Sequence, residues 1–517
     1  MFSFISSKES IPTTPLPQHR GSIRLNSPII SPSNTSGKRR KIMPIQINRF
    51  TAFLLLGFGI TVLLTHTAVE KATGQSTIQH ISKLSKYLPS KTVNRWADLY
   101  VAEADFPETT YMTGVAGFNY FHNLYSANGT FIILTSSPES LPEYGISGIL
   151  SDLEEPNNKW HNHKAALEDR IMIVSPSEAK ESNLLGKAAI RKSGISLMFN
   201  DIKEGSHSSF LNHYYHFIGE MFLGLWRVIT AAGEIELPSR LIYRAESPDW
   251  RDHAGITTWF QQAVLPEAEI EETTIFEDRR KSGVTFLFDK IAIADRWAAH
   301  RAGDQVKYWN KANADLPSLP VPLTWMDPLR DQIKRLAIAE GCDFKRKNPK
   351  VPIVLYINRQ LTSRRLTDED ADELVEEMEK LAEEGVIEFY NEYMEKLPRV
   401  DQFCLAMKSD VMFAVHGNGL SHQLWMKPES AVMEIMPVTG FARDYAILGE
   451  MMNHEYYAIH YNETFPVEKW RKENGYGVDQ GPDFHSPRIT VDGKFMAGMV
   501  RKLVSTRINA VEPPLPW

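Results

Sequence analysis

Between Pro352 and Ile459 short apolar runs alternate with longer amphipathic segments, and no other feature narrows the fold so far. The runs Pro352 to Ile357, Val386 to Tyr390, Val411 to Val415, Ala431 to Ile435 and Tyr456 to Ile459 read as strands. Asp368 to Glu383, Val400 to Lys408, a segment opening near Gly419, and Ala442 to Met452 read as helices. Strands that alternate with helices form a parallel sheet covered on both faces, which binds ligands at the carboxyl ends of its strands. Upstream, Phe131 to Leu134, Arg170 to Val174, Leu241 to Tyr243 and Val284 to Phe288 also predict strands, and Phe210 to Ala231 predicts a helix of about six turns. The proline-rich crossing Leu316 to Pro322 places a domain junction near 316 to 350. The expected units are 110–325 and 326–480, with 481–517 packing back on the body.

Three places in the later unit carry chemistry. Strand Val411 to Val415 runs into His416-Gly417-Asn418-Gly419-Leu420, a glycine turn at a helix start, which lets backbone N–H groups approach an anion such as a diphosphate. An ordinary turn whose glycines only satisfy positive φ explains the same residues. Glu434 is an acid inside the apolar strand Ala431 to Ile435, suited to accept hydrogen bonds from a ribose's two hydroxyls or to pair with a local base. After the first strand, Asn358 and Arg359 precede Arg364 and Arg365, and guanidinium groups there can fork onto phosphate oxygens; Arg359, at the strand end, is the stronger candidate.

Together Val354-Leu355-Tyr356-Ile357-Asn358-Arg359 with Arg364-Arg365, His416-Gly417-Asn418-Gly419-Leu420 and Val432-Met433-Glu434-Ile435 resemble the family 61 glycosyltransferases. That family includes animal protein O-linked N-acetylglucosaminyltransferases and plant xylan xylosyl- and arabinosyltransferases. The resemblance extends to Asn212-His213-Tyr214-Tyr215-His216-Phe217 and to Ile489-Thr490-Val491-Asp492, covering roughly residues 200 to 505. Two positions depart from the pattern: Asn418 replaces the alanine usual between the glycines, and Glu220 stands where aspartate is common. The resemblance implies an α/β, GT-B-like, inverting enzyme. Two Rossmann-like domains would face a cleft, the later one holding a nucleotide sugar such as UDP-xylose, UDP-N-acetylglucosamine or UDP-arabinose.

The base belongs to the earlier unit. His213, His216 and Glu220 fall on one face of the helix predicted from Phe210. An imidazole can take a hydroxyl proton at neutral pH, and the carboxylate can orient it or act itself; a core histidine bonded to a carbonyl is the structural alternative. Asp368 and Asp370 offer the Asp-x-Asp spacing of metal-dependent transferases, yet Thr367 before them makes a helix cap the better reading. No cofactor is expected beyond the donor, and no divalent metal.

The amino-terminal region sets the address. Residues 1 to 49 hold six prolines, nine serines and eight basic residues against Glu9, a composition that disfavours folding. Twenty uncharged residues follow, Phe50 to Val69, enough for about 30 Å of helix. The basic cluster Lys38 to Lys41 and Arg49 keeps the tail cytosolic by the positive-inside rule, predicting a type II signal anchor, a stem over 70–109 and a lumenal body. The carboxyl terminus carries no retrieval signal, so residence in the Golgi is expected. Sequons at Asn128 and Asn462 would then meet the glycosylation machinery, and that at Asn34 would not. With a net charge of -7 overall, the chain after residue 49 carries -14, which disfavours nucleic acid as a partner. Two cysteines, Cys342 and Cys404, allow one bridge or two free thiols.

Overall fold

A computed structural model describes residues 99–151, 170–201, 210–244 and 249–508. The tail, the anchor Phe50 to Val69 and residues 70–98 of the expected stem lie outside these residues, whereas 99–109 are described and include a strand of the first sheet. No helix among the described residues is long and apolar enough to cross a membrane.

The fold is α/β with two sheets, as the alternation predicts. The first is formed by β1 (Tyr100–Ala102), β2 (Thr110–Val115), β3 (Phe118–Ala127), β4 (Thr130–Leu134), β5 (Ile171–Val174), β6 (Ala188–Phe199), β7 (Arg240–Tyr243), β8 (Glu269–Glu271) and β9 (Thr285–Ala294). Its order is β5-β4-β3-β9-β6-β7-β8, with β1 added to β6 and β2 to β3. The portion β9-β6-β7-β8 is wholly parallel. The rest departs from a Rossmann-like sheet: β3 runs antiparallel to β2, β4 and β9. Short hairpins explain the pairings of β3 with β2 and β4, since antiparallel neighbours need only a two-residue turn, whereas the pairing of β3 with β9 is long-range. Asn128 and Gly129 supply that turn between β3 and β4, with φ of 54° and 88°. The Asn128 sequon is thus also a hairpin sequence; it is exposed, as is Asn462 in the later sheet.

The second sheet comprises β10 (Ile353–Ile357), β11 (Glu388–Glu392), β12 (Val411–Val415), β13 (Ala431–Ile435), β14 (Glu455–His460) and β15 (Glu463–Thr464), ordered β11-β10-β12-β13-β14-β15. Every pairing except β14 with β15 is parallel. In β10, β12 and β13 all five residues are buried, because helices cover both faces. Val354 and Tyr356 of β10 join one apolar cluster, while Leu355 and Ile357 join another, as the period of two along a strand requires.

The helices that place the site are α1 (Leu223–Ala231), α2 (Asp327–Ala339), α3 (Asp368–Glu383), α4 (Arg399–Lys408), α5 (Asp444–Met451) and α6 (Gly493–Ile508). Residues 210–231 do not form one α-helix. A 3₁₀ turn, Phe210–Asn212, leads to a π-helix, Tyr215–Phe222, which continues as α1. Nearly all of its side chains are buried between the sheets, so tertiary packing overrides the regular spacing, and such wide turns gather at functional sites. The segment near Gly419 is likewise a 3₁₀ helix, Asn418–Trp425.

A continuous apolar core joins one face of each sheet through α1, from Phe118 and Leu197 to Leu355 and Met412. Arg227 fastens this seam. Its guanidinium donates to the carbonyls of Leu316 (2.9 Å) and Leu319 (2.7 Å) and to that of Met451 (3.3 Å). The proline-rich crossing is therefore held on the core. Opposite, α6 packs on α3, and Val491 N donates to Asp370 Oδ2 at 3.0 Å.

Cys342 and Cys404 form a disulfide that ties the end of α2 to α4, with Cα atoms 6.3 Å apart. Closing a loop of 62 residues in the unfolded chain stabilises the fold by roughly 4 kcal/mol in the chain-entropy account. Cys342→Ser should lower the thermal midpoint markedly. Reductant should lower the wild type to the same value and leave the variant unmoved, a comparison that calorimetry checks directly.

Candidate active site

Both sheets present their carboxyl ends to one cavity. In the later sheet the chain reverses direction across β10: β11 lies on one side, β12 on the other, so the connections leave the two strand ends to opposite faces and open a crevice. Asn358 and Arg359 follow β10; His416 and Gly417 follow β12. In the earlier sheet β6 lies between β9 and β7 in the same way, with Asp201 after β6 and Arg296 after β9. The cavity, about 240 Å³, is lined by His213, Tyr215 and His216 from the first half, and by Arg359, Ser363, Arg364, His416, Gly417, Asn418, Asp444 and Tyr445 from the second.

On the earlier side a buried ionic chain holds His216. Its Nδ1 donates to Oε2 of Glu220 at 2.6 Å. The same oxygen accepts from Nη1 of Arg296 at 2.5 Å, and Arg296 Nε reaches Asp201 at 3.2 Å. Glu220 is 1% exposed and Arg296 3%. Burial pushes the Glu220 carboxyl upward, but Arg296 and then His216 outweigh it and hold the group well below the ordinary carboxylate range. With Glu220 ionised, the shared proton stays on Nδ1 of His216, and Nε2 is left as the basic atom. Of the two predicted catalytic residues, only His216 lines the cavity; Glu220 stands behind it. Burial followed by the His216 charge pulls His213 down to about 4, so it is neutral at physiological pH.

On the later side the predicted donor residues separate into two groups. Arg359, Arg364, His416, Gly417 and Asn418 line the cavity; Gly419, Leu420 and Glu434 do not. Leu420 is fully buried in the shared core. Gly419 packs on β10, where an added Cβ would lie 2.8 Å from Ile357 Cγ2. Glu434 is 0% exposed, and its two oxygens are taken by His416 Nδ1 and the Tyr456 hydroxyl. It therefore orients His416 and does not face a ribose; a carboxylate this deep needs both partners inside the protein.

Gly417 shows why a glycine is required. Its φ is 151°, and a Cβ would fall 1.8 Å from Nη1 of Arg359, so the guanidinium occupies the place of a side chain. Arg359 Nε donates to the Arg364 carbonyl at 3.3 Å, and neither terminal nitrogen has a hydrogen-bond partner among the described residues. Arg364 is more committed: Nη1 donates to the His416 carbonyl at 3.1 Å and Nη2 to Nδ1 of His485 at 2.5 Å. Beside them the opening N–H groups of the 3₁₀ helix lack intrahelical acceptors, as at any helix start. The result is a cationic, donor-rich wall opposite a basic imidazole.

Asp368 and Asp370 lie away from the cavity. Thr367 Oγ1 accepts from Asp370 N at 3.2 Å, a helix cap, and the Asp370 carboxylate takes Val491 N. Reading the sequence alone missed Arg296, Lys311 and Asp444. Lys311 Nζ donates to Asp444 Oδ1 at 2.8 Å, and Asp444 borders the cavity at the start of α5. The only available signal for Arg296 was its place directly after a strand.

The arrangement thus sets guanidinium groups and backbone donors on one wall of the cavity and an imidazole on the other. Residues 214–433 match the family model described as Glycosyltransferase 61. The matched span runs from the π-helix to β13 and supports a glycosyltransferase of that family. No curated protein matches the chain.

The buried carboxylate supplies a pH test. Because the folded state holds Glu220 below its unfolded value of 4.5, its contribution to stability is complete above that pH and is lost as pH falls toward the folded value. Melting temperatures from neutral pH to about pH 3 should fall less steeply for Glu220→Gln than for the wild type. Parallel curves would contradict the assignment.

Proposed function

We propose that the protein is an inverting, GT-B-like glycosyltransferase that moves a sugar from a nucleoside diphosphate donor to a hydroxyl of a glycan or glycoprotein. The observation that carries this is a single cavity bounded by His216 on one side and by Arg359 and the Gly417 turn on the other. His216 Nε2 takes the proton of the acceptor hydroxyl while the oxygen attacks the anomeric carbon in line. The bond from that carbon to the β-phosphate oxygen breaks, and the nucleoside diphosphate departs with the electron pair. Arg359, Arg364 and the amides at the helix start stabilise its charge, the task a divalent metal performs in other transferases. Glu220, fixed by Arg296, keeps His216 in the productive tautomer.

The setting we infer is the Golgi lumen, with Phe50 to Val69 as a type II anchor and no metal requirement. The disulfide supports an oxidising compartment, and the exposure of Asn128 and Asn462 is compatible with glycosylation there. UDP-xylose, UDP-N-acetylglucosamine and UDP-arabinose are the donors to try first.

Steady-state kinetics test the division of labour. His216→Ala should lower kcat by about 10²- to 10⁴-fold with little change in donor affinity. Arg359→Ala should weaken UDP binding at least tenfold, since a charge-assisted hydrogen bond contributes roughly 1.5 to 3 kcal/mol. Activity should persist in excess chelator. Undiminished turnover by His216→Ala would overturn the reading.

A further inference from the structure

Two acceptor atoms of the cavity residues are left over after the partners are assigned. Oδ2 of Asp444 and Oδ1 of Asn418 are both buried without a hydrogen-bond partner. Neither is needed for the diphosphate, whose negative oxygens would repel a carboxylate. Asp444 is 9% exposed, and its other oxygen is held by Lys311. Burial raises this carboxyl, but Lys311 and then His416 overcome that effect and keep it below the ordinary range. The group is an anion, able only to accept. Asp444 also lies next to the base: the Tyr215 hydroxyl donates to its carbonyl at 3.3 Å, and Tyr215 precedes His216. Asn418 lines the same cavity at the opening of the 3₁₀ helix. A buried acceptor left unpaired is costly, so a ligand that fills this space must bring donors. Between the diphosphate wall and the base, the ligand group is the sugar undergoing transfer, whose donors are hydroxyls.

We propose that Asn418 and Asp444 form a hydroxyl-reading pair that selects a donor sugar with free hydroxyls over one bearing an acetamido group at the same position; this rests on the nucleotide-sugar reading above. Asn418 stands where alanine is usual in the resembling family, so the amide adds three heavy atoms to a cavity of only about 240 Å³. An acetamido substituent competes for that volume. Specificity of this kind is strong when the site's polar groups are stranded by the wrong ligand.

The test measures dissociation constants of UDP, UDP-xylose, UDP-glucose and UDP-N-acetylglucosamine for the full chain and two variants. Wild type should bind UDP-xylose and UDP-glucose at least about tenfold more tightly than UDP-N-acetylglucosamine. Asn418→Ala should shrink that ratio about tenfold or more, and Asp444→Asn should weaken the two hydroxyl-rich donors while UDP affinity stays within about twofold. Because Asp444→Asn also strips Lys311 of its partner, the Asn418→Ala ratio decides alone if that variant folds poorly. A wild type indifferent to the acetamido group, or a ratio unmoved in Asn418→Ala, overturns the pair. Failure of the wild type to bind UDP itself would remove the nucleotide-sugar reading and this inference with it.

Discussion

Glu220 is a carboxylate with almost no contact with water, and the geometry around the cavity follows from keeping it ionised there. An isolated buried charge costs several kcal/mol, so Arg296 must be present, and Arg296 in turn needs Asp201. Those three residues come from the end of β6, the end of β9 and the π-helix between β6 and β7. Pairing them fixes three chain segments at one point and leaves His216 as the exposed end of the chain. Breaking such a pair from one side typically costs roughly 3 to 5 kcal/mol. A solvated dyad would lack that rigidity.

The later sheet solves the complementary problem with backbone and guanidinium. Reversal of direction across β10 opens the crevice, the missing side chain of Gly417 makes room for Arg359, and Glu434 with Tyr456 holds His416 from behind. Each half thus sets a histidine against a buried glutamate, and the shared core around α1 holds the two halves in register. Arg227, bound to the carbonyls of Leu316, Leu319 and Met451, is the polar fastening of that core.

Much of this was legible in the sequence because the later sheet obeys local rules. Its central strands β10, β12 and β13 are buried on both faces and read as continuous apolar runs; the main discrepancy is β11, which begins at Glu388 rather than Val386. Arg359, Arg364, His416 and Gly417 were found because they follow such runs. Sequence reading was weaker where long-range contacts decide. The π-helix at Tyr215–Phe222 and the antiparallel pairing of β3 with β9 depend on packing that no window of residues contains. Glu434 looked like a ribose ligand because an acid in an apolar strand demands a partner; that the partners are His416 and Tyr456 is visible only in three dimensions. Asp444 had no local signature, since Lys311 lies 133 residues away.

The account stands on the claim that one wall of the cavity holds a diphosphate while His216 faces it. A crystal structure of the full chain with UDP tests this most directly. The account predicts β-phosphate oxygens within about 3 Å of the Arg359 guanidinium and of the amides after Gly417, with His216 Nε2 open to the same space. A nucleotide seated elsewhere, or one whose phosphates leave Arg359 without contact, would contradict it.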